Sequence, residues 1–322
     1  MTDRFGPSCF GLGLAALARP AYITTGRDDD LGAERSVDAL RERTAEVLDA
    51  AHAAGIRYVD VARSYGRAEE FLASWLERRP DVRDVVIASK WGYRYVGGWR
   101  RDAEVHEVKD HSAAAFVEQL AATRAVLGDR LAVYQVHSVM PDDPLFDDPD
   151  ALAGLGRLRD DGVRVGFSTS GPQQAVSVRR ALGVQAGGAP LFSVVQATWN
   201  VLEPSVGDAL AEAAAAGLAV VVKEGLANGR LAPGSDDPAA AAGTAREVAE
   251  RRGVTVDAVA LAAVLAQLWR PRVLSGAVSV DHLSSNLAAV DLALTDDEVA
   301  ALTGSPEPAA EYWQRRSERA WR

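Results

Sequence analysis

The chain has 322 residues, of which 48% are hydrophobic and 25% charged, with a net charge of −10 and one cysteine, Cys9. That composition suits a globule with a large core, and the acidic balance argues against nucleic acid, whose phosphates call for a basic surface. A lone cysteine, read here as a small buried residue, excludes an internal disulfide framework and a Cys-rich zinc site, so a reducing cytoplasm is the expected setting.

The N-terminus carries no charged-then-apolar signal pattern. Phe10 to Leu17 is apolar and punctuated by glycine, and its first half reads as a first strand. Ala18 to Arg35 is irregular and polar, with the charge run Arg27-Asp28-Asp29-Asp30. A helix over Arg41 to Ala54 puts Val47, Leu48, Ala51 and Ala54 on one face and stops at Gly55. Ile56 to Val61 is a short β-branched run, hence a buried strand, with Asp60 near its end and Tyr65 in the turn closed by Gly66. Helix Ala68 to Leu76 follows, then strand Val85 to Lys90. The aromatic and charged segment Trp91 to Asp110 has no period and suits a loop over a site. Helix Ala113 to Leu127 precedes strand Leu131 to His137, and helix Asp150 to Asp161 precedes strand Val163 to Ser168. Helix Gln173 to Leu182, strand Phe192 to Ala197, helix Val206 to Ala216 and strand Leu218 to Val222 continue the alternation. An Ala- and Gly-rich insert, Pro233 to Thr244, leads to helices starting at Ala245 and Asp257. Strand Val273 to Ala277 and helix Asp281 to Val290 close the series, and the tail 294–322 is charged and holds Trp313 and Trp321. The most apolar helical stretch, Val259 to Trp269, is too short to span a bilayer.

Eight strand-then-helix units in one run imply a parallel sheet, and eight suggest a closed (β/α)8 barrel, an α/β fold. A doubly wound open sheet is the rival, but it would show Gly-x-Gly-x-x-Gly after its first strand. Here only Gly11-Leu12-Gly13 stands there. One barrel domain over 1–322 is the expectation, with the irregular loop 91–111 and the charged tail as its additions.

Barrel sites lie at the C-terminal strand ends. Those ends carry Asp60 with Tyr65 beyond it, Ser89-Lys90, Gln135 to Ser138, Ser168-Thr169-Ser170, Gln196 with Trp199-Asn200, and Lys223-Glu224. Asp60, Tyr65, Lys90 and His137 form a coherent chemical set. An ammonium beside a phenol favours phenolate, an Asp beside the Lys holds it charged, and a neutral His can donate to a carbonyl oxygen. Together these make a Tyr that gives or takes a proton near neutral pH. His106 and His111 have no ligand spacing and read as solvated side chains, so no metal is expected.

Over nearly its whole length the sequence resembles the aldo-keto reductase superfamily. The resemblance rests on Asp60-Val61-Ala62-Arg63-Ser64-Tyr65-Gly66, Ser89-Lys90, Tyr134-Gln135-Val136-His137, Gly166-Phe167-Ser168, Val195 to Asn200, and Ser275-Gly276-Ala277 with Asn286. It implies a barrel using NADP(H) or NAD(H) without a Rossmann fold, and a catalytic tetrad of Asp60, Tyr65, Lys90 and His137 with Tyr65 as general acid. It also implies that Ser168 and Gln196 hold the nicotinamide carboxamide and that Asn286 meets the adenine end. The substrate would be a small carbonyl compound or alcohol, with the loop after strand three and the tail near Trp313 lining the pocket mouth, and Trp91 and Trp99 as aromatic walls.

The chain departs from the family pattern at three places. Thr169 stands where an amide is usual. Lys223 replaces a ring that stacks on the nicotinamide, so that Trp199 would cover the ring, or Lys223 would pair with Glu224 or a phosphate. Val278, Ser279 and His282, beside Asp281, replace the cations that grip a 2′-phosphate. These departures keep open a regulatory or scaffold protein that binds cofactor with little turnover, and a metal-free hydrolase using Asp60 and His137 would leave Lys90 and Tyr65 unexplained. Oligomeric state cannot be read from the sequence.

Overall fold

The computed structural model describes residues 6–321; Met1 to Phe5 and Arg322, the two ends of the expected 1–322 domain, lie outside the described residues. Eight parallel strands close a barrel: β1 (Phe10–Gly13), β2 (Tyr58–Asp60), β3 (Val86–Trp91), β4 (Leu131–Val139), β5 (Arg164–Thr169), β6 (Val194–Thr198), β7 (Ala219–Lys223) and β8 (Arg272–Ser275). Each strand pairs with its sequence neighbour, and β1 pairs with both β2 and β8. The (β/α)8 expectation therefore holds, with strand limits shifted by a residue or two.

The helices α1 (Val37–Ala53), α2 (Ala68–Arg78), α3 (Ala113–Leu127), α4 (Pro149–Asp160), α5 (Gln174–Leu182), α6 (Gly207–Ala215), α7 (Ala240–Arg252), α8 (Val256–Leu265) and α9 (Val280–Leu287) surround the barrel, and α10 (Asp296–Thr303) and α11 (Ala309–Ser317) follow. Their ends obey local chemistry. The hydroxyls of Ser36 and Ser112 accept the Ala39 and Ala115 amides and start α1 and α3, and Thr295 with Glu298 forms a reciprocal capping box for α10.

The α8 stretch is apolar on every face because it is covered on every face. It packs with Ala241, Ala245 and Val248 of α7 and with Leu302, Tyr312 and Trp313 in a second core cluster beside the main one. The charged tail with its tryptophans thus builds two helices packed on α7 and α8. The aperiodic loop after β3 is also ordered: Tyr93–Tyr95 and Glu107–Lys109 pair as an antiparallel hairpin. A short helix, Arg27–Leu31, lies in the irregular segment after β1. Buried Arg27 and Arg35 hold that segment by donating to the carbonyls of Ala16, Pro20 and Gly32, which satisfies backbone that no regular element serves.

The pleat fixes what fills the barrel. Tyr58, Ala88, Val133, Val194, Val221 and Leu274 form an apolar plug. Two residues further along the same strands the inward positions fall to Asp60, Lys90, Gln135, Gln196 and Lys223. A polar layer therefore sits directly above an apolar floor, at the C-terminal end.

Candidate active site

Asp60, Lys90, Gln135 and Gln196 are each 0–2% exposed. Lys90 Nζ donates to Asp60 Oδ1 and, at 3.1 Å, to the carbonyl of Val61. Asp60 Oδ2 accepts from Gln196 Nε2 at 2.8 Å and from Gln135 Nε2 at 3.4 Å. A buried ion pair is tolerable only when its remaining lone pairs are satisfied, and the two glutamines do this for Asp60. Burial pulls the Lys90 ammonium below its ordinary range, against the pull of Asp60.

Tyr65 is carried to the same place by the chain beyond β2, which keeps pairing with β3: the amides of Val61 and Arg63 donate to the carbonyls of Ala88 and Lys90. Gly66 makes the turn with φ +57°, and a Cβ there would strike the carbonyl of Ala18. The Lys90 ammonium lies 4.9 Å from the centre of the Tyr65 ring. His137 is aimed at the phenol by an irregularity in the β4–β5 register between Val136 and Val139, where Ser138 adopts φ +61°. Its Nε2 stands 3.4 Å from Tyr65 Oη. Its Nδ1 is buried with no partner, and a buried orphan acceptor costs less than a buried orphan N–H. The ring proton therefore belongs on Nε2, facing the phenol. Burial, reinforced by the nearby Lys90 and Lys223 cations, keeps the imidazole pKa well below its ordinary value, hence neutral.

The phenol departs from expectation. Burial, with the Asp60 carboxylate and Tyr22 behind it, holds Tyr65 well above the ordinary tyrosine range, and Arg19 is the cation that opposes them. Desolvation outweighs the effect foreseen for Lys90, so Tyr65 stands as a neutral hydroxyl ready to donate.

Asp60, Tyr65, His137 and Gln196 open into a cavity of about 760 Å³, within the size range of small-molecule sites. Tyr65, His137, Tyr93, Tyr22 and Trp321 surround one end, and Gly276 to Val278, His282, Asn286 and Asp257 line the other. Of the expected ligand-holding residues, Gln196, Lys223 and Asn286 line it. Four others are placed elsewhere. Ser168 Oγ accepts the Ser138 amide at 2.8 Å and so holds the β4 irregularity, and Thr169 bonds Gln174 at 3.1 Å. Trp199 packs against Trp269, so it does not cover a ligand in the cavity. Ser279 caps α9 by accepting the His282 amide. Lys223 bonds Thr198 Oγ1 at 2.7 Å and Glu224 at 3.3 Å, the pairing foreseen as one of its alternatives.

The proposed aromatic walls are corrected. Trp91 is fully buried against Phe116 and His111, because it follows the inward Lys90 on the strand and so points outward. Trp99 packs on Phe71 and donates to the carbonyl of Arg35 at 3.0 Å. Nor are His106 and His111 solvated: His106 stacks on Trp321 with ring centres 4.4 Å apart, and His111 joins Asp143 to the carbonyl of His137. Arg19, Tyr22, Glu107, Arg316 and Trp321, all on the cavity, had no sequence signal beyond residue type.

A parallel eight-stranded barrel with a lysine–aspartate pair, a phenol and a neutral imidazole at the floor of a deep cavity defines a class of barrel oxidoreductases. The aldo/keto reductase family model matches residues 32–306, and the chain belongs to that family. It is 28% identical over 282 residues to aldo-keto reductase str7 of Strobilurus tenacellus, covering 80% of this chain and 79% of the relative. Among solved structures it is similar to aldo-keto reductase AKR11C1 from Bacillus halodurans in holo form (TM-score 0.66, 20% identity, 93% of this chain and 92% of that one). It is similar also to the glycerol dehydrogenase AKR11B4 from Gluconobacter oxydans (TM-score 0.67, 21% identity, 92% and 90%). These two likenesses concern the fold. Family membership makes the protein a nicotinamide-dependent oxidoreductase acting on small-molecule carbonyl compounds. Among the described residues no helix is long and apolar enough to cross a membrane.

The cavity residues fit such a cofactor. Asp257 is buried at the far end, with one carboxylate oxygen accepting from Asn286 at 2.9 Å and the other without a partner. That oxygen is an acceptor for a ligand N–H or O–H. Lys223, Arg316 and Arg319 also line the cavity, the first two sharing the carboxylate of Glu224, and a diphosphate calls for such cations.

Proposed function

We propose that this protein, as one barrel domain in the cytoplasm, interconverts the carbonyl of an aldehyde, ketone or sugar with the corresponding alcohol, and that Tyr65 is its general acid and base. The observation carrying this reading is Tyr65 Oη beside His137 Nε2 at 3.4 Å, above the buried Lys90–Asp60 pair and at the floor of the cavity. A bound reduced nicotinamide supplies the hydride. Asn286, Asp257, Lys223 and Gln196 are the residues that would hold that cofactor. Tyr65 Oη gives its proton to the carbonyl oxygen as negative charge develops there, and His137 Nε2–H donates a hydrogen bond to the same oxygen. The positive charge of Lys90 faces the phenolate left behind, and Asp60 keeps that charge in place. Tyr22, Tyr93 and Trp321 give the substrate end apolar faces suited to flat carbonyl compounds or sugar rings. Lys223 pairs with Thr198 and Glu224, and the reading of a cofactor-binding protein with little turnover predicts no activity in the assay below.

The test is reduced-nicotinamide absorbance against a panel of aldehydes, ketones and sugars, with Tyr65→Phe beside the wild type. The variant should lose roughly 10² to 10⁴-fold in kcat, the range for a general acid, with cofactor binding nearly unchanged. Undiminished turnover by Tyr65→Phe would overturn the assignment.

A further inference from the structure

Tyr65 has a second buried cation that the chemistry above does not use. Arg19 is 2% exposed, and its guanidinium lies 4.9 Å from the centre of the Tyr65 ring, the same distance as the Lys90 ammonium. Two further rings enclose it, Tyr22 at 4.4 Å and Trp321 at 4.7 Å. Its Nε donates to the carbonyl of Ala15 at 2.9 Å, and its Nη1 donates to Glu107 at 2.8 Å and, more weakly, to the carbonyl of Ser64 at 3.4 Å, next to Tyr65 itself. Glu107 belongs to the hairpin beyond β3, and Trp321 is held from the other side by its stack on His106. Segments far apart in the chain thus converge to set one ion pair, its Arg19 side buried and its Glu107 side part-exposed, against one phenol. Burying the Arg19 charge costs free energy unless its partners return it, and a fold that needed only a covered ring would place an apolar side chain there.

We propose that Arg19, fixed by Glu107, is a positioning residue for Tyr65: its guanidinium holds the ring facing His137 and sets a second positive charge against the phenol as its proton leaves. This rests on the reading of Tyr65 as the proton donor. The charged and titratable groups around the phenol are Asp60, Lys90 and His137 from the strands, Tyr22 and Arg19 from the segment after β1, and Glu107 from the hairpin. Only Arg19 and Glu107 belong to the pair under test, and they act on Tyr65 with opposite sign.

The opposed signs give the experiment. Arg19→Met removes the charge and keeps the stem; Glu107→Gln leaves the charge and removes its counter-ion. Arg19→Met should lower kcat roughly ten- to thirtyfold, about the worth of one desolvated cation–ring contact, and move the alkaline arm of the pH–rate profile upward. Glu107→Gln should move that arm downward. Arg19→Lys should restore most of the position of the arm and less of the rate. In a Tyr65→Phe background neither substitution should have a further kinetic effect. Arms that move together, or stay still while rates fall, would mean that the pair only packs. A rise in KM confined to carboxylate-bearing aldehydes, with the arm unmoved, would assign Arg19 to an anionic substrate and overturn the proposal. Tyrosinate absorbance, taken as each protein minus its Tyr65→Phe counterpart, reads the phenol without turnover. It should titrate earlier in Glu107→Gln than in wild type and later in Arg19→Met, and the opposite order would sink the inference even in a protein that reduces nothing.

Discussion

At the scale of single residues the site is governed by desolvation. Lys90, Tyr65 and His137 are all pushed toward their neutral forms by burial, and only specific partners oppose that push. If Asp60 keeps Lys90 charged beneath the phenol, Lys90→Met leaves the Asp60 carboxylate uncompensated there. The rate should fall and the alkaline arm of the pH–rate profile should rise; a lower rate on an unmoved profile would mean that Lys90 only positions its neighbours. His137 bears on stability. Its folded pKa lies below the ordinary 6.5, so as pH falls through 6.5 the unfolded chain takes up a proton that the folded chain refuses. Stability should therefore drop on acidification from about pH 7 to 5, and His137→Gln should flatten that part of the curve in chemical denaturation.

Among the elements, the join between β7 and α11 carries a part-buried charge network. Glu224 follows β7 directly with φ +57°, and both its oxygens accept from Arg316 of α11, at 2.6 and 2.8 Å, with Lys223 at 3.3 Å. Burial pushes the Glu224 carboxyl up, but Arg316 and Lys223 outweigh burial and hold it down at about 2. The neighbouring Lys223 is brought down to about 8, chiefly by burial, against Glu224. A carboxyl with a depressed folded pKa stabilises above its ordinary 4.5, and that contribution is lost as pH falls from there toward 2. Glu224→Gln should remove about 1.5–3 kcal/mol, because it weakens charge-assisted bonds to two part-buried cations. Its thermal midpoint should be lower at pH 7, and the gap to the wild type should narrow below pH 4.5 and close near pH 2. An unchanged midpoint at pH 7 would show that α11 is held by Tyr312 and Trp313 alone.

At the scale of the whole molecule, the far end of the cavity bears on cofactor choice. Asp30, Asp236 and Asp257 line it, and His282 faces Asp30 at 3.4 Å. Arg230, the cation of a neighbouring loop that could have reached a phosphate, is held bidentate by both Asp237 and Glu307. A 2′-phosphate would thus meet carboxylates where charge-assisted bonds of about 1.5–3 kcal/mol each are needed. NADPH should bind with less than about a tenfold advantage over NADH, since tenfold takes about 1.4 kcal/mol. Titrating both by quenching of tryptophan fluorescence measures the ratio, and a preference for NADPH above about a hundredfold contradicts the expectation.

The sequence alone determined the eightfold alternation and the inward polar residues, because both follow from local periodicity. Strand-end residues Asp60, Lys90 and His137 could be picked out in this way, and Tyr65 with them by its short distance from β2. Parity along the strand carried more than was taken from it: with Lys90 and Gln196 facing inward, Trp91 and Trp199 stand at odd offsets and must face the helices. What only the tertiary structure decided is the roof of the cavity. Arg19 meets Glu107 across 88 positions and Arg316 meets Glu224 across 92, and no window of sequence registers such pairs. The tail reads as a charged segment that holds Trp313 and Trp321, and only the structure shows Tyr312 and Trp313 of α11 buried with α7 and α8 in the second core cluster. Charged side chains are read as exposed unless a partner is known, and here each partner lies on a different part of the chain.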